Sequence, residues 1–259
     1  MKHRVSASDT PQVLGLDKYS APQWLAARAN RRFHVMAKPA GSACNLDCAY
    51  CFYLSKRVLP GGPGSGHMPD EVLERFVKDY IDSITADEVV FSWQGGEPTL
   101  LGLGFFEKVV ALQKKHARAG QRIENDLQTN GTLLDDDWAR FLKQQRFLVG
   151  LSIDGPREIH DHCRITKHAE PTFDQVFAAA KMLQKHGVRF NTLTCVHRYN
   201  ASRPLDVYRF LRREIGSTYI QFIPIVEIRG FENMAPGTWD AARWPMPGDP
   251  RCRPDHPGP

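Results

Sequence analysis

Cysteine carries the sharpest chemistry in this chain, and three of its six cysteines, Cys44, Cys48 and Cys51, fall within "CNLDCAYC". Thiolate is a soft ligand, suited to iron–sulfur clusters, zinc or copper(I). A cubane iron–sulfur cluster ordinarily takes four cysteines, and structural zinc also closes with four ligands. The compact triplet therefore leaves one coordination position without a neighbouring cysteine. Cys163, Cys195 or a distant histidine would fill it in a zinc knuckle. Left open, an iron there would bind a small chelating cofactor.

The elements that must position these thiols are legible from hydrophobic periodicity. Short apolar or β-branched runs predict strands over 33–37, 88–93, 123–128, 147–153, 188–196 and 219–226. Amphipathic segments alternate with them. In "PDEVLERFVKDYIDSI" the apolar positions Val72, Leu73, Phe76, Val77, Tyr80 and Ile81 recur at helical spacing, after a proline and two acids suited to a first turn. Further helices are predicted from about 105 to 116, from 135 to 145, from Thr172 to Gly187, and from Pro204 to just before Gly216. Thr172 and Gln175 have the spacing of a capping box. Six strands separated by five helical crossovers imply an α/β fold with a parallel sheet, open or closing toward a barrel. The triplet then lies in the loop after the first strand, at the mouth where such folds place their chemistry.

Residues 1–30 read as an N-terminal extension, 31–228 as the core domain, and 229–259 as a Pro- and Gly-rich tail expected to be disordered. The 259 residues are 42% hydrophobic with a net charge of +5. No run of basic residues suggests a nucleic-acid arm, and no apolar run is long enough to span a membrane. No export signal is visible, and six cysteines are too few for a disulfide scaffold in a chain this long, so the cytoplasm is the expected location.

Further motifs fall at successive strand ends. After the second strand comes "FSWQGGEPTL", whose Gly95 and Gly96 permit close backbone approach and whose Glu97 can accept hydrogen bonds from an amine. Read alone, it is equally a turn with a helix-starting acid. "LQTNGTL" ends the third strand, and its Asn130-Gly131 reads as a tight turn. "GLSIDGPREIHDHCR" ends the fourth; Asp154 there suits bracing the loop as well as chemistry, and His160 and His162 read as surface or supporting residues. Cys195, inside a strand, reads as a buried thiol.

Cys-x3-Cys-x2-Cys with Tyr50 before the third cysteine resembles the signature of radical S-adenosylmethionine (SAM) enzymes. The resemblance implies a partial (β/α)6 barrel in which Cys44, Cys48 and Cys51 hold a [4Fe-4S] cluster. Its open iron would chelate SAM, and one electron would cleave the sulfonium to a 5′-deoxyadenosyl radical. By the same resemblance Tyr50, Gly95, Gly96, Glu97, Thr129, Asn130, Ser152, Arg164 and Val226 surround SAM, with the bidentate guanidinium of Arg164 suited to its carboxylate.

The segments "KPAGSACNLDCAYCFYLSK", "FSWQGGEPTLLGLGFFEKVVALQKKH", "LQTNGTLLDDDWARFLKQQRFLVGLSIDGPREIHD" and "YIQFIP" are similar to anaerobic sulfatase-maturating enzymes. That resemblance implies radical oxidation of a cysteine or serine of a sulfatase polypeptide to Cα-formylglycine, with Tyr53 and Gln94 near the substrate. It also implies a flavodoxin or ferredoxin as electron donor, and no nucleic-acid or membrane partner. The family continues into a domain with two auxiliary clusters, for which the cysteines outside the triplet are too few; no general base is assigned. Three rivals stand beside this reading: a radical SAM enzyme acting on another peptide, a zinc-stabilised α/β binding module, and an inactive fragment.

Overall fold

A computed structural model of the chain describes residues 32–51 and 67–225. The N-terminal extension, Tyr53, the glycine-rich stretch after the cysteines, Val226, Cys252 and the tail lie outside the described residues.

Six strands form one fully parallel sheet in the order β1 to β6: Val35–Ala37, Glu88–Trp93, Arg122–Thr129, Leu148–Ser152, Arg189–Val196 and Ile220–Pro224. Each pairs in parallel with the next, as in Trp93 with Leu127 and Leu151 with Thr192. Strictly sequential parallel order requires a crossover between every pair of neighbours. Five of these carry a substantial helix: α1 (Asp70–Ser83), α2 (Leu103–His116), α3 (Asp136–Gln144), α5 (Phe173–Lys185) and α7 (Pro204–Arg213). Two shorter helices, α4 (Arg157–Cys163) and α6 (Arg198–Ala201), and a 3-10 turn at Pro98–Leu101 lie in the loops at the carboxyl ends of the strands. The partial (β/α)6 architecture expected from the sequence is the observed one.

Strand alternation sorts the two faces of the sheet. Val89, Phe91 and Trp93 of β2 are buried among α1 and α2 residues such as Leu73, Val77, Phe106 and Val109. Glu88, Val90 and Ser92 must then point to the opposite, concave face. An aromatic chain fastens the helix layer: Tyr80 meets Phe91 at 4.9 Å, and Trp93 meets Phe106 at 6.0 Å, both edge-on. Phe106 continues it to Trp138 at 5.4 Å. Such contacts add to the area burial of large rings.

Four sequence expectations need correction. β1 starts at Val35, because Phe33 is half exposed and leaves the ladder. β6 ends at Pro224. The helices α4 and α6 were not predicted, since seven and four residues are too short to display a period. Thr172 forms no capping box. Its hydroxyl donates to the Arg164 carbonyl (2.7 Å), while Asp161 from α4 accepts from the Thr172 and Phe173 amides (2.9 and 2.8 Å). The cap of α5 is thus supplied from a distant helix.

Phe91 is 1% exposed at the centre of the aromatic chain. Phe91→Ala should lower unfolding free energy by about 3–5 kcal/mol, read from urea denaturation, because the surrounding rings cannot all collapse into the space. A loss near zero would mean that the helix layer does not lock onto β2 as described.

Candidate metal and cofactor site

Residues 38–51 leave the end of β1 and contain no regular element beyond tight turns. Such a loop can hold three thiols in place only if its backbone is tied to neighbouring strand ends. Those ties exist on two sides. Toward β2, the Gly96 amide donates to Gly41 O (2.9 Å) and the Glu97 amide to Ala43 O (2.7 Å). Toward α4, the Asp47 amide donates to Ile165 O (2.9 Å) and the Ala49 amide to Cys163 O (2.8 Å). Within the loop, Cys51 N reaches Cys48 O at 2.9 Å, closing a turn around the last two cysteines.

The two glycines are explained by this contact. A Cβ on Gly96 would lie 2.0 Å from Ala43 O, and one on Gly95 would lie 2.7 Å from Gly41 O. Gly95 also has φ +126, a backbone shape that side chains resist. In this structure their close approach is to the cysteine loop itself.

Glu97 is fully buried. Its Oε1 accepts from Thr99 N (3.1 Å), Thr99 Oγ1 (2.6 Å) and Thr129 Oγ1 (2.7 Å), and its Oε2 from Asn130 N (2.7 Å). Burial raises its pKa, and the four donors oppose that rise. The carboxylate thereby joins the ends of β2 and β3. Asn130 continues toward the thiols: its Nδ2 donates to Asn45 Oδ1 (2.8 Å) and approaches Cys44 Sγ at 3.8 Å. The Leu46 amide points at the same sulfur from 3.4 Å. Donors aimed at a ligating sulfur favour its thiolate form and tune a bound centre.

A second buried carboxylate organises the opposite side. Asp154, after β4, accepts from Tyr50 Oη (2.5 Å), Arg164 Nε (2.9 Å), Arg164 Nη2 (3.3 Å) and the Cys195 amide (2.9 Å). Burial alone would raise its pKa, but Arg164, with His160 and His197, holds it below the ordinary carboxylate range. The bidentate edge of Arg164 is therefore turned to Asp154. Ser152 lies on the concave face of β4, partly exposed, between the buried Leu151 and Ile153.

Burial raises the thiol pKa values, to about 11 for Cys44 and further for Cys48. Without metal both are thiols at neutral pH, so a cation binding there must displace protons. Among the described residues no three His, Cys, Asp or Glu side chains converge closely enough for one metal ion. A multi-iron cluster, whose cysteines ligate separate irons, does not require such convergence. The donor set, three thiols at a strand-end mouth with amide donors toward one sulfur, fits such a cluster.

The structure thus brings together Cys44, Cys48, Cys51, Tyr50, Gly95, Gly96, Glu97, Thr129, Asn130 and Arg164 at one rim. Gln94 is tied to β1 through its amide to Ala37 O (2.9 Å). His160 is not at the surface: it is fully buried, bonded to Thr172 Oγ1 (3.1 Å), with its pKa lowered to about 3 by burial and then by Arg164. His162 is half-buried and stacks on Tyr199 at 4.4 Å. Cys195 is only partly buried and lies 3.9 Å from Arg164 Nη2. His197, stacked on Tyr50 at 5.9 Å, was missed. It stands just past the fifth strand, and only the rule that strand ends carry function would have found it.

A parallel open barrel with a thiol triplet at its carboxyl mouth defines a class, and sequence comparison names it. The Radical SAM superfamily pattern matches residues 39–211, and the chain belongs to that superfamily. Radical SAM enzymes use a [4Fe-4S] cluster together with S-adenosylmethionine. Within it, the chain is 48% identical over 194 residues to the serine-type anaerobic sulfatase-maturating enzyme of Bacteroides thetaiotaomicron, covering 75% of this chain and 46% of that protein. It is 45% identical over 204 residues to the cysteine-type enzyme of Clostridium perfringens, covering 77% and 54%. A solved structure of anSMEcpe with bound AdoMet and the Cp18Cys peptide superimposes with a TM-score of 0.69 at 43% identity, over 75% of this chain and 51% of that one. The chain spans about half the length of these relatives. No helix among the described residues is long and apolar enough to cross a membrane.

Two outcomes follow from this geometry. Asp154→Ala should cost about 3–5 kcal/mol in denaturant unfolding, since it strands Arg164 as an uncompensated buried charge. The depressed Asp154 pKa supplies stability that is complete above the unfolded value of about 3.9 and is lost as pH falls below it; a variant whose acid unfolding matches the parent would contradict this. Gly96→Ala should separate the cysteine loop from β2, so iron bound after reconstitution should fall well below parental content while far-UV circular dichroism persists.

Proposed function

We propose that this chain is the SAM-cleaving core of a peptide-oxidising radical SAM enzyme of the sulfatase-maturating kind. Cys44, Cys48 and Cys51 hold the [4Fe-4S] cluster. Tyr50, Gly95, Gly96, Glu97, Thr129, Asn130, Ser152, Arg164 and Val226 match family positions around SAM, and Tyr53 and Gln94 match positions near the substrate peptide. When bound, cluster and SAM supply a 5′-deoxyadenosyl radical. The chain's own residues place and isolate that chemistry. Asn130 and the Leu46 amide stabilise charge on Cys44. Asp154 fixes the Arg164 guanidinium so that Nη1 can meet the SAM carboxylate. Thr99 and Thr129, locked on Glu97, hold the β2 and β3 ends at a fixed separation beside the cysteine loop.

The observation that carries this reading is the convergence of the triplet, Asn130 and Arg164 on one strand-end rim within a superfamily match of 39–211. The substrate assignment, a cysteine or serine of a sulfatase polypeptide oxidised to Cα-formylglycine, rests on the relatives' names and the peptide bound to anSMEcpe. A low-potential cluster needs a reducing compartment and a one-electron donor, which points to the cytoplasm and to a flavodoxin or ferredoxin.

Anaerobic reconstitution with iron and sulfide should give a brown protein whose visible absorbance is lost in Cys48→Ala. Dithionite with SAM should then release 5′-deoxyadenosine. A colourless protein carrying stoichiometric zinc would remove the radical reading altogether.

A further inference from the structure

Asp154 and Arg164 stand at the two ends of a short excursion that leaves β4, turns through α4 and returns. Their ion pair closes it, with Arg164 Nε 2.9 Å from Asp154 Oδ2. That pair joins only the tips of the two side chains. Where the guanidinium stands depends also on the backbone beneath each partner.

His160, on α4, lies inside this excursion and reaches both ends. The Asp154 amide points at its Nδ1 from 3.4 Å, and its Nε2 lies 3.1 Å from Thr172 Oγ1. The Thr172 hydroxyl is bonded in turn to the Arg164 carbonyl at 2.7 Å. The His160 carbonyl itself accepts from the Arg164 amide at 2.9 Å. Thr172 cannot swing away, because Asp161 accepts from its amide (2.9 Å) and from that of Phe173 (2.8 Å), and the Phe173 ring meets His160 edge-on at 5.9 Å.

The direction of these bonds follows from proton counting. Thr172 has one hydroxyl hydrogen, and the Arg164 carbonyl can only accept it. His160 Nε2 must therefore donate to Thr172 Oγ1, leaving Nδ1 bare to accept from the Asp154 amide. A neutral imidazole has one donor and one acceptor, and both are used. Burial, and then the Arg164 cation, lower the His160 pKa to about 3, so the neutral form persists at ordinary pH. Ile159 and Cys163, on the same helix, are equally buried and fill space without such bonds being needed. An imidazole at that depth is costly unless its nitrogens are bonded, so this position serves orientation as well as bulk.

We propose that His160 is a positioning residue for SAM: it sets the separation of the Asp154 and Arg164 backbones, so that the guanidinium gripped by Asp154 meets the SAM carboxylate. This rests on the SAM-cleaving reading above. His160 does not itself touch SAM. Its loss therefore weakens the carboxylate end of the ligand and spares the adenosine end.

The test uses the full chain reconstituted with iron and sulfide. His160→Phe keeps a ring beside Phe173 and removes both side-chain hydrogen bonds. Its Kd for SAM should rise about tenfold, while its Kd for 5′-methylthioadenosine, which has no carboxylate, stays at the parental value. His160→Gln carries an amide to the Nε2 position and should recover most of the loss; His160→Asn, which reaches only the Nδ1 position, should recover less. An unchanged Kd for SAM in His160→Phe overturns the proposal. Equal weakening of both ligands also overturns it, since that is what a merely structural residue would give. If His160→Phe fails to fold, the order of His160→Gln over His160→Asn decides, and equal SAM affinities in the two sink the idea. A parent that takes up the cluster but binds no SAM removes the SAM-cleaving reading instead. Hydrogen exchange at the Arg164 Nε proton of the metal-free protein then decides alone: faster exchange in His160→Asn than in the parent supports the positioning role, and unchanged exchange refutes it.

Discussion

The Glu97 carboxylate is the interaction on which the site depends. It is fully buried, accepts four hydrogen bonds from Thr99, Thr129 and Asn130, and reaches the cysteine loop through its own amide to Ala43 O. A carboxylate left unpaired at that depth would cost several kcal/mol, so its donors must stay in place. Those donors are the ends of two adjacent strands. The loop with the thiols inherits their rigidity, although it contains no helix or strand of its own. Gly95 and Gly96 make the arrangement possible by removing the Cβ atoms that would hold the loop away.

Asp154 does the corresponding work on the far side of the same loop. It binds Tyr50, which sits between Cys48 and Cys51, and it takes the paired edge of Arg164. The triplet is thus gripped between two buried carboxylates, one after β2 and one after β4. Their chemistry differs. Glu97 is surrounded by neutral donors and its pKa rises with burial, whereas Asp154 has a buried cation beside it and stays ionised. The second arrangement fixes the guanidinium through its paired edge, Nε and Nη2 on one carboxylate.

The two faces of the sheet divide the remaining labour. The helix side is apolar and closed by a chain of aromatic rings from Tyr80 to Trp138. The concave side is mixed, with Ser92, Asp126, Gln128 and Asn191 set among Met36, Val90, Leu148 and Leu193.

How much of this was legible follows from the range of each signal. The sheet and its five long helices came from periodicity, which is local and survives in the sequence; α4 and α6 were too short to leave one. Cys44, Cys48 and Cys51 were found because a metal site built from one loop has its ligands adjacent in sequence. The residue spacing by itself determined the parallel α/β class, the thiol triplet and its place after the first strand. Only the tertiary structure decided that Asp161 caps α5, that Gly96 meets Ala43, and that Arg164 turns its fork on Asp154. Each of those joins separate loops or elements, and a contact across such a separation leaves no periodic trace in the chain that makes it.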